Sequence, residues 1–331
     1  MTSDTPAAAA IAASFDSGWL EVGHGHRVHY EQAGNPGGIP VVLLHGGPGS
    51  GSRPRQRVFY DAEQFRIVQF DQRGCGRSEP MGETAHNSTA LLVADIERLR
   101  AHLGIGRWLV SGGSWGSTLA AIYSAQHCDQ VSGVLLRAVF LAERADLDWY
   151  FGGSSAVSPE AYDRFMAEIA RRWRRRVLTY LDRALKGGDA DKALRLATAW
   201  MAYEATINGD DPGAARPVAP PAGGGTALCA KYRVQAHYLS RRCFLERGAV
   251  LRALAELSAL PVAIIHGTRD LICLPRAGWR AHRACPGSRL AWAAGAGHDP
   301  FHPAMDSLTR AALASFAANG NFSRWPQAAA P

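Results

Sequence analysis

The residues best suited to covalent chemistry lie in one short stretch, VSGGSWGSTLA at 110–120, where Ser114 stands between Gly112 and Gly116. A serine hydroxyl is a poor nucleophile near neutral pH unless a base activates it. G-x-S-x-G between an apolar run and a helix-like run predicts a nucleophile elbow, so sharp that the residues two before and two after the serine must be small. A plain strand-to-helix loop reads the same way, so the partners decide. They must follow in the order nucleophile, acid, base. Asp270 comes after PVAIIHG and His298 after RLAWAAG, each at the carboxyl end of an expected strand. His298 would take the Ser114 proton, while Asp270 holds the imidazole tautomer. Asp299, adjacent to the histidine, reads as a helix cap before PFHPAMDSL. The Trp115 N–H supplies one oxyanion donor, and the glycine-rich HGGPGSGS supplies the second from Gly46 or Gly47. That loop lacks the G-x-x-x-x-G-K-[ST] of a phosphate cradle.

These residues need a scaffold. Strands are expected at Arg27–Gln32, Val41–His45, Arg66–Phe70, Trp108–Ser111, Val131–Arg137, Pro261–His266 and Arg289–Ala293, short runs rich in Val, Ile and Leu. Helical patterns lie between several of them. In NSTALLVADIERLRAHLGI, Asn87 reads as the N-cap and Leu91, Leu92, Ile96, Leu99 and Leu103 keep one face. Such alternation predicts an α/β fold with a mostly parallel sheet covered on both sides. It breaks at about 142–258, where helical patterns predominate around a Pro/Gly-rich loop at 208–226. The block reads as a cap over the carboxyl edge of the sheet, where such folds bind ligands. The expected organisation is an N-terminal arm at 1–14, a core of 15–141 and 259–322, a cap at 142–258 and a C-terminal tail at 323–331.

Composition narrows the functional classes. The 331 residues are 47% apolar and 20% charged, with no run approaching a membrane span and no basic n-region of a secretory signal. Six scattered cysteines without a C-x-x-C pair read as free thiols and a cytoplasmic location. Net charge is +7 with a pI of 9.3. The densest basic run, RRWRRR at Arg171–Arg176, reads as the wet faces of one helix, and no zinc-finger or RNP pattern points to nucleic acid. In HGHRVH, His24, His26 and His29 read as a surface strand rather than a metal site, for no carboxylates cluster there. Cys75 reads as a packing residue, whereas Cys273, three residues after Asp270, is near enough for thiol modification to block access.

With HGGPGSG, FDQRGCGRS, LVADIERLRAHLGI, GGSWGS, HGTRDLICLP and GAGHDP in place, the chain resembles the proline iminopeptidases (prolyl aminopeptidases) of the α/β-hydrolase fold. The resemblance spans nearly the whole chain apart from the termini and the 208–226 loop. It implies release of an unblocked N-terminal proline from peptides or aminoacyl amides, with no metal or cofactor. A cationic amine calls for a carboxylate at a fixed distance from Ser114. The family's cap carries one in W-x-x-W-E; here TAWMAYEATI supplies Trp200 and Glu204, with Tyr203 in place of the second tryptophan. Phe140 matches a phenylalanine lining the proline pocket. The family's second amine-binding glutamate, in R-I-E-N-H-Y-F, is Gln235 here, within RVQAHYL. Exchanging a charge-assisted bond of ~1.5–3 kcal/mol for a neutral one of ~0.5–1.5 kcal/mol weakens amine binding by roughly tenfold. Glu143 is a candidate to compensate. Two alternatives stay open: a broader aminopeptidase, amidase or esterase, and a non-catalytic basic binding protein on a hydrolase scaffold. The oligomeric state is not legible.

Overall fold

The computed structural model describes residues 11–208 and 225–325. Eight strands form one sheet: β1 (Ser14–Gly23), β2 (His26–Gly34), β3 (Ile39–Leu44), β4 (Phe65–Phe70), β5 (Trp108–Ser114), β6 (Val131–Val139), β7 (Val262–Gly267) and β8 (Arg289–Ala293). Their order is β1-β2-β4-β3-β5-β6-β7-β8. The β1–β2 and β2–β4 pairs are antiparallel, and every pair from β4 to β8 is parallel. The parallel strands are covered on both faces, which is why VAIIHG of β7 is buried throughout. Strand β1 has no counterpart among the seven expected strands. SFDSGWLEVG is a largely exposed edge strand without an apolar run, so its sequence resembles a loop.

Among the described residues ten α-helices accompany the sheet. The core has α1 (Thr89–His102) and α2 (Trp115–Gln126). Then come α3 (Arg144–Tyr150), α4 (Pro159–Ala167), α5 (Val177–Lys186), α6 (Ala190–Ile207), α7 (Gly225–Ser240) and α8 (Ala249–Glu256). The last two are α9 (Pro275–Ala284) and α10 (Pro303–Asn319). Helix α8, inside the expected cap range, packs against α2 and α9. One cluster of buried side chains runs from Val42 and Leu119 beneath the sheet edge to Phe165, Trp200 and Tyr232 in the helical block.

Several local expectations are corrected. The RRWRRR run is not part of one long helix. It forms a separate 3-10 turn at Arg171–Arg176 between α4 and α5, with all its arginines exposed. Like charges one helical turn apart repel, which disfavours a continuous helix there. Asn87 does not cap α1, whose N-cap is Ser88. Its side chain instead donates to the Arg73 and Glu83 carbonyls and accepts from the Tyr238 hydroxyl. His26 and His29 are buried within β2, not surface residues. His24 stacks on His86, and among the described residues no group of three or more potential ligands is placed to hold a metal. Of the 208–226 loop, 209–224 lie outside the described residues, and Gly225 and Thr226 already belong to α7. The arm at 1–14 is described only from Ile11, and Ser14 opens β1. Of the tail at 323–331 only residues 323–325 are described, and there Trp325 is buried, its indole donating to the Leu308 carbonyl.

Candidate active site

Ser114 ends β5 with φ 56° and ψ −128°, a backbone state that non-glycine residues rarely adopt. The neighbouring glycines leave no freedom in this turn. A Cβ on Gly112 would lie 2.1 Å from the Gly116 carbonyl oxygen, and one on Gly116 would lie 2.1 Å from that of Leu44. Helix α2 therefore starts tight against the end of β3, and the Trp115 N–H heads that helix without an intrahelical acceptor. The loop after β3 comes to the same place. A Cβ on Gly46 would be 3.4 Å from the Ser114 Cβ. Gly47, at φ 114°, turns toward Gly49 and Ser50.

Gln72 ties the two glycine-rich loops together. Its Oε1 accepts from the Trp115 indole at 2.9 Å, and its Nε2 donates to the His45 carbonyl at 3.0 Å. Its backbone N–H donates to His45 Nε2 at 3.0 Å. Asp71 beside it accepts from the Ser52 backbone and hydroxyl and from Arg77. These polar roles of DQRGCGRS were not read from the sequence, although the motif itself was visible.

Asp270 is fully buried, and its Oδ1 accepts from the Ile272 and Cys273 N–H groups at 2.9 Å. Its Oδ2 lies 2.8 Å from His298 Nδ1. Burial alone would raise the Asp270 pKa, but the charge and hydrogen bond of His298 hold it below the ordinary value. Burial pulls His298 the other way, and Asp270, then Glu204 and Asp299, raise it above 6.5. Asp299 does not cap α10, whose N-cap is His302; it accepts from the Phe301 N–H in a local turn. The buried Cys273 thiol is within hydrogen-bonding reach of Ser114, and burial pushes its pKa well above the usual thiol range. It is thus a poor nucleophile.

The helical block holds Glu204. Its Oε1 accepts from the Tyr150 hydroxyl at 3.0 Å and from Gln235 Nε2 at 2.5 Å. Its Oε2 accepts from the Tyr232 hydroxyl at 2.7 Å, and Lys231 Nζ stands 3.4 Å away. Burial would raise the Glu204 pKa, yet the Lys231 charge and these hydrogen bonds hold it below the ordinary value, so the carboxylate is ionised. Gln235 turns its nitrogen rather than its oxygen to the carboxylate, and its buried Oε1 has no partner among the described residues.

Tyr203 is not the ring beside the carboxylate. Its hydroxyl bonds to the Tyr150 carbonyl and to Ser154, and its ring stacks on Phe165. Trp200 supports the site indirectly, donating to the Tyr150 hydroxyl at 2.8 Å. Glu143 is unavailable to compensate for Gln235, being held bidentately by Arg280 at 2.7 and 3.0 Å. Phe140 is half-buried, one residue past Val139, the register partner of Ser114. Tyr150, Tyr232 and Lys231 were missed in the sequence because Tyr150 on α3 and the adjacent Lys231 and Tyr232 on α7 lie about 80 residues apart and form no motif.

The model of the alpha/beta hydrolase fold family matches residues 39–304. A proline iminopeptidase of Xylella fastidiosa is 40% identical over 87% of this chain and 92% of its own length. One from Neisseria gonorrhoeae is 38% identical, covering 91% and 96%. One from Arabidopsis thaliana is 36% identical, covering 88% and 77%. Among solved structures, a hydrolase from Pseudomonas aeruginosa superposes with a TM-score of 0.62 at 16% identity, over 93% of this chain and 100% of that one. An esterase from Rhodococcus gives 0.56 at 20%, over 92% and 98%. At these identities the structural likenesses concern the fold.

Proposed function

The chain belongs to the proline iminopeptidases of the α/β-hydrolase fold and is a serine peptidase releasing N-terminal proline, and we propose that Ser114, His298 and Asp270 carry its reaction. The Ser114 Oγ attacks the proline carbonyl carbon while His298 Nε2 takes the hydroxyl proton. Asp270 on Nδ1 keeps the imidazole in the right tautomer and stabilises the imidazolium. The oxyanion is received by the Trp115 N–H and by that of Gly46, the loop glycine lying against Ser114. His298 returns its proton to the leaving amine as the C–N bond breaks. Water, deprotonated by the same histidine, then hydrolyses the prolyl ester and frees Ser114.

Glu204 anchors the substrate's secondary ammonium, and the unpaired Gln235 Oε1 accepts its second N–H. Phe140 packs against the pyrrolidine ring. The observation supporting this assignment is the 2.8 Å pair of His298 Nδ1 with the buried Asp270 carboxylate, following the strained Ser114 turn in the order nucleophile, acid, base. Among the described residues no helix is long and apolar enough to cross a membrane. The six cysteines are free thiols, in keeping with the reducing cytoplasm as the place of action.

The test is kcat/KM on Pro, Ala, Leu and N-acetyl-Pro arylamides for wild type, Ser114→Ala and Glu204→Gln. Preference for unblocked Pro, lost in both variants, is expected. Hydrolysis of the acetylated substrate, or Pro selectivity surviving Glu204→Gln, would move the assignment to a general amidase or esterase.

A further inference from the structure

The carboxylate meant for the substrate's amine is already fully occupied. An ionised carboxyl group offers about four lone-pair sites, and Tyr150, Gln235, Tyr232 and Lys231 address all of them at Glu204. An incoming ammonium must displace one donor. Tyr150, Tyr232 and Gln235 are buried neutral groups at 2.5–3.0 Å, and removing any of them would strand a buried polar atom. Lys231 differs on each count. It is the charged donor and stands farthest away, at 3.4 Å, with its side chain 26% exposed. Its Nζ is also shared, lying 4.5 Å from the centroid of the Tyr232 ring and 3.3 Å from the Tyr232 hydroxyl, so its hold on Glu204 is not exclusive.

We propose that Lys231 is the resident counter-ion of the amine site in the free enzyme and that substrate binds by exchanging its own ammonium for that of Lys231. Lys231 is thereby a specificity-determining residue. With it in place the pair Glu204–Lys231 is electrically neutral, so a cationic substrate gains only the difference between two ion pairs. A substrate with a rigid secondary ammonium held against Glu204 wins that exchange through better geometry, and a loosely held one does not. The backbone of Lys231 is fixed against the oxyanion loop, where a Cβ on Gly49 would meet the Lys231 carbonyl oxygen at 2.4 Å. The displaced side chain therefore swings about a fixed base and remains close to the site.

The inference rests on Glu204 being the amine anchor, so its test must be readable without catalysis. Binding of pyrrolidine, a secondary ammonium with no scissile bond, is measured by calorimetry on wild type, Lys231→Met, Lys231→Arg and Glu204→Gln. Replacing a partly exposed ion-pair partner predicts a roughly threefold to tenfold tighter Kd in Lys231→Met. Lys231→Arg should stay near wild type, and the KM for Pro-arylamide should fall in Lys231→Met by the same factor, the effect appearing in KM and not in kcat. Unchanged or weaker pyrrolidine binding in a folded Lys231→Met protein would overturn the exchange. If pyrrolidine binding is also insensitive to Glu204→Gln, the amine anchor itself has been misassigned.

Discussion

His298 carries opposing influences whose balance decides the pH at which the enzyme works. Burial disfavours the imidazolium, but the Asp270 charge and hydrogen bond outweigh it, helped by Glu204 and Asp299, so the pKa lies above 6.5. As the proposed base, His298 must be neutral to accept the Ser114 proton. Activity should therefore fall as pH drops through a midpoint above 6.5, measured as the acid limb of kcat/KM. A midpoint at or below histidine's ordinary value would contradict the pairing. Asp270→Asn removes the dominant raising influence and the tautomer control together. The acid limb should move down in pH, and kcat should drop by roughly 10⁴-fold, as expected of a triad aspartate.

The same interdependence holds between elements, where the elbow works because β3, β5 and α2 converge on two glycines. Gly116→Ala would drive a methyl group into the Leu44 carbonyl, an acceptor in the backbone rather than a side chain that could turn away. Destabilisation of about 3 kcal/mol, the upper end for overpacking, is expected from urea titration, with loss of activity. Gly106→Ala is the control: a Cβ there meets nothing within 4 Å, so its effect should stay within about 0.5 kcal/mol. Equal effects of the two substitutions would show that the elbow is not tightly packed. The elbow was legible because its steric demand is local and is met within five consecutive residues. The pairing of Asp270 with His298 was legible because both follow strands whose apolar runs are plain. The donors around Glu204 were not, since Tyr150 on α3 and Tyr232 on α7 meet only once the helical block has folded. Strand β1 escaped for the opposite reason, being exposed at the edge and needing no apolar signature. Arg171–Arg176 misled because helical spacing around it continues on both sides of a break that charge crowding makes.

At the scale of the whole molecule the helical block and the sheet share one buried cluster and several polar ties. Glu143 at the start of α3 grips Arg280 on α9, and the Trp149 indole donates to the Leu271 carbonyl, beside Asp270, at 2.8 Å. On the other side, the Tyr238 hydroxyl and His237 Nε2 on α7 both bind Asn87, just ahead of α1. Such joining should make cap and core unfold together, since neither can leave without exposing the other's apolar surface. The test reads the two parts separately, because urea-dependent amide hydrogen exchange in β5 reports the sheet while exchange in α6 reports the helical block. Both signals should give one urea midpoint in wild type. Trp200→Ala should lower both midpoints together, with a loss of about 3–5 kcal/mol for a fully buried aromatic. A Trp200→Ala protein in which α6 loses protection first, while β5 and the β5–α2 junction keep theirs, would show the helical block to be an independent unit. Glu204 would then be set by docking between two folded parts, and amine selectivity would fail at a lower denaturant concentration than hydrolysis of an ester that does not need the cap.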